Sequence, residues 1–276
     1  SEEIGTVINN PKEIWKPNAD ELKAMEESTG VKRALYLNRL GLWQEGVKEW
    51  NVAMRGLDDK QLLTAAEIAN RAHWYDRAIY ASERTQTLHD FNLRFLAPFR
   101  NELSAGAKQY RLDEAWVYGI VRQESHFYSE AKSRVGAMGL MQIMPATARW
   151  IAQRLGVSNF RASDATTVDT NTAFGTYYMR HVLDDLGHAV LATAGYNAGP
   201  SRAKRWRDAK PLEGAIYIES IPLGETRDYV KKVMANATTY AGILGLKWQS
   251  LKDRIGTIPA RYEAIDEEVD SESETP

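Results

Sequence analysis

Apolar residues along this chain recur mostly at three- and four-residue spacing, and no stretch sustains the period-two alternation, rich in β-branched residues, that marks a strand. The pattern predicts an all-α protein. From residue 18 to about 87 it resolves into short helices over 21–27, 31–40, 43–57, 60–73 and 74–84, punctuated by Gly30, Gly41 and Gly56. Helices of this size joined by brief turns bury their apolar faces only against neighbours, as stacked hairpins do, although no fixed sequence period is present. Near residues 94–100 the character changes, and Pro98 interrupts the helical pattern. Longer, more apolar helices are then predicted over 101–110, 113–126, 145–155, 170–186, 189–196 and 226–244. Asp113 reads as an N-cap and Pro145 as a first helical residue, where a missing N–H costs nothing. Gly156, Gly187 and Gly245 sit where helices should stop. The expected units are residues 1–93, 94–248 and a C-terminal segment, 249–276.

Length and composition narrow the class. A chain of 276 residues, 43% hydrophobic and 26% charged, can bury one large core or two modest ones. It has no run of about 18 apolar residues to span a membrane. The opening Ser-Glu-Glu-Ile has neither the basic nor the apolar region of an export signal. With no cysteine, disulfides, thiolate metal sites and cysteine nucleophiles are excluded. The net charge of −2 hides an asymmetry: seven acidic and no basic residues fall in 262–276, leaving 35 basic against 30 acidic residues, a net +5, over 1–261. That excess suits a weakly anionic polymer and is too small and scattered for nucleic acid. The tail from Glu263 reads as solvated and disordered.

The sharpest local signal is Trp116-Val-Tyr-Gly-Ile-Val-Arg-Gln-Glu124-Ser-His-Phe127. Val117, Ile120, Val121, Glu124 and Phe127 share one helical stripe, which sets a carboxylate on an apolar face. Desolvation there favours the protonated form, as a proton donor near neutral pH requires. The competing reading is a structural glutamate paired with Arg122 or Arg134. Next comes Ser133-Arg-Val-Gly136-Ala-Met-Gly139-Leu-Met-Gln142-Ile-Met144-Pro145, an apolar, glycine-punctuated loop. It lets backbone approach a ligand, and Gln142 offers a neutral donor and acceptor; alternatively it is a packed loop with methionines filling gaps. Gly195-Tyr196-Asn197-Ala-Gly199-Pro200 ends a helix in a turn, and Glu219 and Glu225 add carboxylates beside a later helix start. The five histidines, His73, His89, His126, His181 and His188, show no metal-ligand spacing, and no phosphate-cradling or dinucleotide loop is present. No cofactor or metal is expected. Most of the 27 aromatic residues are expected in the core, with some free to stack on sugar rings.

Glu124-Ser125, Gly139-Leu-Met-Gln142, Gly195-Tyr-Asn197-Ala-Gly-Pro200 and Ile221-Pro-x-x-Glu225-Thr-Arg-x-Tyr229-Val together resemble, in order and spacing, the soluble lytic transglycosylases that cleave bacterial peptidoglycan. The resemblance implies a goose-type-lysozyme-like catalytic domain over 94–248, preceded over 1–93 by the family's helical linker or superhelix-end domain. It implies Glu124 as the single catalytic acid and base, Ser133 near the substrate acetamido group, and Gln142 and Met144 lining the cleft. Tyr196 and Asn197 would flank Glu124, while Glu225 and Tyr229 would contact sugar; apart from the resemblance, Arg227 close by in sequence is expected to keep Glu225 ionised. Two departures reshape backbone beside the site: Gly195 stands where the family usually has alanine, and Tyr128-Ser129 where it often has Asn-Pro.

The resemblance also implies a reaction. Most glycosidases use two carboxylates, and only one can be nominated here, which suits a substrate whose 2-acetamido oxygen attacks its own anomeric carbon. Glu124 would protonate the glycosidic oxygen between MurNAc and GlcNAc and then take the proton of the muramic C6 hydroxyl, closing a 1,6-anhydro ring. Such an enzyme is a lyase. The expected setting is a periplasmic monomer, its signal peptide outside this sequence, acting on glycan strands with cell-wall proteins as candidate partners. Two alternatives stand: a hydrolytic muramidase using Glu124 and water, and a non-catalytic peptidoglycan-binding scaffold.

Overall fold

The computed structural model describes residues 13–261; the acidic tail expected from Glu263 lies outside the described residues. The first half of the fold is α1 (Ala19–Glu27), α2 (Thr29–Arg39), α3 (Trp43–Ala53), α4 (Asp59–Arg71), α5 (Tyr75–Glu83) and the single turn α6 (Phe91–Arg94). The pairs α2–α3 and α4–α5 pack as antiparallel hairpins, with α1 laid on α4. Asn18 and Asp58 open α1 and α4 with reciprocal capping boxes, each side chain accepting the N–H of the third helical residue. Gly30 is not a break: it lies in the first turn of α2, where an added Cβ would meet the Ala53 Cβ at 2.8 Å, so it permits close hairpin packing.

The second half comprises α7 (Arg100–Gln109), α8 (Glu114–Ser125), α9 (Pro145–Arg154), α10 (Val168–Leu186), α11 (Ala189–Ala198), α12 (Pro200–Arg205), α13 (Gly214–Ser220), α14 (Gly224–Ile243) and α15 (Leu251–Ile255). A 3-10 turn, Ala162–Thr166, precedes α10, and the two-residue strands β1 (Leu212–Glu213) and β2 (Thr257–Ile258) pair antiparallel. Asp113 caps α8 and Pro145 opens α9 as the pattern predicts, and Gly156, Gly187 and Gly245 follow helix ends with positive φ. Several elements differ from the sequence expectation. The helix from Trp43 ends at Ala53 rather than 57, α8 ends at Ser125 rather than 126, and α6, α12, α13 and α15 add short helices.

The central packing is α8 along α14. Gly119 makes it close, since a Cβ there would lie 2.8 Å from the Val233 carbonyl oxygen. Around the pair, Val117, Ile120, Val121, Val230, Val233 and Ala237 are fully buried. Hydrogen bonds tie this core to the segment between the halves: Tyr240 O–H donates to the Leu96 carbonyl at 2.8 Å and Tyr118 O–H to the Pro98 carbonyl at 3.0 Å. The hydrophobic core runs continuously from Val31 to Ile258. No described helix is long and apolar enough to cross a membrane.

Candidate active site

Glu124 stands in the last turn of α8 and lines a cavity of about 350 Å³. Ser133 and Gln142 line it from the following loop, and Trp43, Asp76 and Tyr80 from α3 and α5. Glu124 keeps some exposure through this cavity, but the protein packed around its carboxyl raises its pKa from 4.5 to about 7. The rise is partly opposed by Tyr229 on α14, whose O–H donates to Glu124 Oε1 at 2.5 Å. The pairing with Arg122 or Arg134 is not made. Arg122 turns away to donate to Glu83 at 2.6 Å and to the Arg94 carbonyl, and Arg134 is exposed.

Past Glu124 the chain turns sharply: His126 and Phe127 have φ of 49° and 65°, consecutive left-handed residues without glycine. Phe127 therefore leaves the helical stripe, yet it remains buried against Tyr118 and Tyr240, and its N–H donates to Ser125 Oγ. Burial, reinforced by Arg122, Arg77 and Lys232, lowers the His126 pKa to about 4 and keeps the ring neutral.

The loop after Tyr128 is a built structure. Bridges pair Lys132 with Met138 and Met138 with Ile143. Buried Asn171, from the first turn of α10, accepts the Met141 N–H at 2.7 Å and donates to the carbonyls of Met138 and Ala165. Gly139, at φ 75°, leaves room for that amide, since a Cβ would fall 2.3 Å from Asn171 Nδ2. Gln142, itself left-handed at φ 47°, spends its NH₂ on the carbonyls of Ala131 and Gly139, so its carbonyl oxygen is the group left for a ligand. Ser133 Oγ accepts the Ala137 N–H and keeps its own hydrogen to donate.

The remaining expected residues separate. Tyr196 belongs to the Glu124 neighbourhood: burial first and then the charge of that carboxylate raise its pKa, and its O–H donates to the Met141 carbonyl at 2.7 Å. Tyr229 is buried and bonds Glu124 itself, a more intimate place than the expected sugar contact. Asn197 is exposed and accepts the Thr226 hydroxyl at 2.6 Å, tying α11 to α14 outside the residues that line the cavity. Met144 is 40% exposed at the start of α9, also outside that lining. Glu225 is exposed in the first turn of α14, one turn from Tyr229, and the expected pairing with Arg227 is not made: Arg227 faces Glu219 at 4.0 Å.

Sequence reasoning missed Asn171, Asp76, Trp43 and Tyr80. Asp76 is the second carboxyl at the cavity, but it is 3% exposed and both its oxygens accept from Arg77, one from the backbone N–H and one from Nε. At the substituted position, the Tyr128 ring stacks on Trp43 with centroids 4.5 Å apart and planes 6° apart. At the other, an alanine Cβ at Gly195 would press Leu186 Cδ1 at 2.7 Å, so Leu186 and Val182 occupy the space a methyl would take. Among the described residues no group of three His, Asp or Glu side chains could hold a metal.

Residues 103–217 match the Transglycosylase SLT domain, 24–90 the soluble lytic murein transglycosylase L domain, and 220–249 the soluble lytic transglycosylase helical domain. The chain belongs to the soluble lytic transglycosylase family. The soluble lytic murein transglycosylase of Salmonella typhimurium is 29% identical over 244 residues, which is 87% of this chain and 38% of that protein. The Escherichia coli enzyme of the same name is 28% identical over 225 residues, 80% of this chain and 34% of its own length. In three dimensions the chain is similar to an inactive mutant of lytic transglycosylase Slt from Pseudomonas aeruginosa, with TM-score 0.78 and 33% identity over 86% of this chain and 39% of that one. It also resembles the 70 kDa soluble lytic transglycosylase of Escherichia coli, with TM-score 0.74 and 27% identity over 85% and 38%. The chain thus spans less than two fifths of these family members. Its fold is the all-α, lysozyme-like fold of the family.

Proposed function

We propose that this chain is a peptidoglycan lytic transglycosylase, a lyase that cleaves the β-1,4 bond between MurNAc and GlcNAc in the periplasm and leaves a 1,6-anhydro-MurNAc end. The observation that carries the reading is Glu124: a carboxyl at a cleft, hydrogen-bonded by a buried tyrosine and favoured in its neutral form near pH 7. That is the state of a general acid poised to protonate a glycosidic oxygen. The relatives are named for murein transglycosylase activity, and one similar structure is a complex with bulgecin A.

In the proposed reaction the Glu124 proton passes to the glycosidic oxygen as the C1–O bond breaks, and the 2-acetamido oxygen of MurNAc closes on C1. The Glu124 carboxylate then removes the proton of the C6 hydroxyl, whose oxygen displaces the acetamido oxygen from C1. Glu124 regains its proton and no water is consumed. Tyr229 orients the carboxyl and stabilises its ionised interval. The Gln142 carbonyl and Ser133 hydroxyl supply neutral contacts to amide and hydroxyl groups, and Glu225, on the exposed first turn of α14, binds substrate further from the reacting bond.

Asp76 at the same cavity is the observation that favours a two-carboxylate, hydrolytic reading. Its commitment to Arg77 through both oxygens argues against it as nucleophile or base. A pure scaffold gains nothing from holding Glu124 out of water. Incubating purified sacculi with the chain and with Glu124→Gln tests the activity: soluble muropeptides should appear with the first only, and their absence with both would refute an enzymatic role.

A further inference from the structure

We propose that α5, from the N-terminal half, is the positioning element for Glu124, gripping the end of α8 through Tyr80 on His126 and Glu83 on Arg122. Tyr80 and Glu83 lie three residues apart on one face of α5, whereas Arg122 lies in the last turn of α8 and His126 is its left-handed C-cap. Glu124, between them in sequence, lines the same cavity as Tyr80 and His126 and accepts the Tyr229 O–H. Tyr80 stacks on the imidazole with centroids 4.9 Å apart and planes 26° apart. Arg122, 3% exposed, donates to Glu83 at 2.6 Å and to the Arg94 carbonyl, and its guanidinium lies 4.5 Å from the Phe95 ring centre.

The grip has something to hold. Consecutive left-handed residues at 126 and 127 are strained, and the turn persists only while its surroundings enforce it. Phe127 is held by the core below, whereas His126 is held by Tyr80. Tyr80 is in turn fixed by the Arg77 guanidinium, 4.4 Å from its ring centre and bonded to Asp76 and Asn51. Releasing the turn lets water reach the Glu124 carboxyl. The titratable and charged groups facing that carboxyl are Tyr229 from α14 and Tyr196 from α11, with Asp76, Arg77 and Tyr80 of α5, His126 and Lys132 around the same cavity; of these, Tyr80 and His126 belong to the grip.

The kinetic part rests on Glu124 as the catalytic acid; the titration does not. Tyr80→Ala, Tyr80→Phe and Glu83→Ala are compared with the unmodified chain in two measurements: Glu124 titration by carbon NMR of glutamate-labelled protein, assigned with Glu124→Gln, and kcat and KM on soluble glycan strands. Tyr80→Ala and Glu83→Ala should move the carboxyl midpoint down from about 7 toward ordinary glutamate and lower kcat about tenfold with KM little changed. Tyr80→Phe keeps the ring and should restore both. Glu83 is part-exposed, so its variant reports even if Tyr80→Ala does not fold. An unchanged Glu124 midpoint in the folded variants, with only a lower melting temperature, would reduce α5 to ordinary packing and overturn the inference. So would a raised KM with unchanged kcat, which marks Tyr80 as a substrate contact. If the unmodified chain cleaves nothing, the proposed function fails and the NMR midpoint alone decides the role of α5.

Discussion

The hydroxyl of Tyr229 donates to Glu124 Oε1 at 2.5 Å, across 105 residues of sequence and between the two helices that form the centre of the fold. Burial raises the carboxyl pKa and this bond restrains the rise, so the pair sets where the acid titrates. Tyr229→Phe removes the restraint without removing the ring. The alkaline limb of the pH–rate profile should move upward, turnover should fall because the carboxylate interval loses its donor, and stability should drop by about 1 kcal/mol. Rate profiles and denaturant melts of the two proteins check this.

The raised pKa also couples Glu124 to stability. A carboxyl raised from 4.5 to about 7 in the folded state favours folding below the lower value and loses that contribution as pH rises through the upper one. Glu124→Gln should therefore melt with the unmodified chain at about pH 4 and above it at about pH 9. Cleavage by the unmodified chain should decline through about pH 7 as the acid ionises. Thermal melts across pH check the first expectation and initial rates the second.

His126 has the opposite sign. Its pKa is lowered from 6.5 to about 4, so its contribution is present above pH 6.5 and lost as pH falls toward 4. Asparagine accepts left-handed backbone, so His126→Asn should fold and show a shallower loss of stability through that window. Urea unfolding at several pH values measures the slope.

Gly139 and Gly136 separate packing from backbone strain. Both have positive φ, but a Cβ at Gly139 collides with Asn171 while one at Gly136 meets nothing within 4 Å. Gly139→Ala should cost about 2–4 kcal/mol and abolish cleavage, and Gly136→Ala about 1 kcal/mol. Asn171→Ala, which strands the Met141 N–H and two carbonyls, should resemble Gly139→Ala. Calorimetry and activity of the three variants check the order.

Much of this was legible in sequence because long amphipathic helices announce themselves. Helices α7 to α11 and α14 follow their apolar spacing, and Glu124 stood out as a carboxyl on an apolar stripe. Helices α13 and α15 are too short for a period to register, and α12 hides behind Pro200. The partners of Glu124 were harder. Tyr229 was visible as a motif residue, but nothing local says its hydroxyl reaches a carboxyl 105 residues away. Asn171 looks like any polar residue inside a helix until the loop it clamps is folded against it. Arg227 sat near Glu225 in sequence, yet its side chain faces Glu219 instead. The cavity contributions of Trp43, Asp76 and Tyr80 come from packing one half of the chain on the other, which no local pattern encodes.

The central claim, that one carboxyl cleaves the glycan without water, is tested most directly by mass spectrometry of the products from purified sacculi. New muramic ends should be lighter than hydrolytic ends by one water and resistant to borohydride, as a 1,6-anhydro ring requires, and should persist in Glu225→Gln at reduced turnover. Reducing ends carrying the added water, or a folded Glu225→Gln as inactive as Glu124→Gln, would contradict it and place a second carboxylate in the reaction.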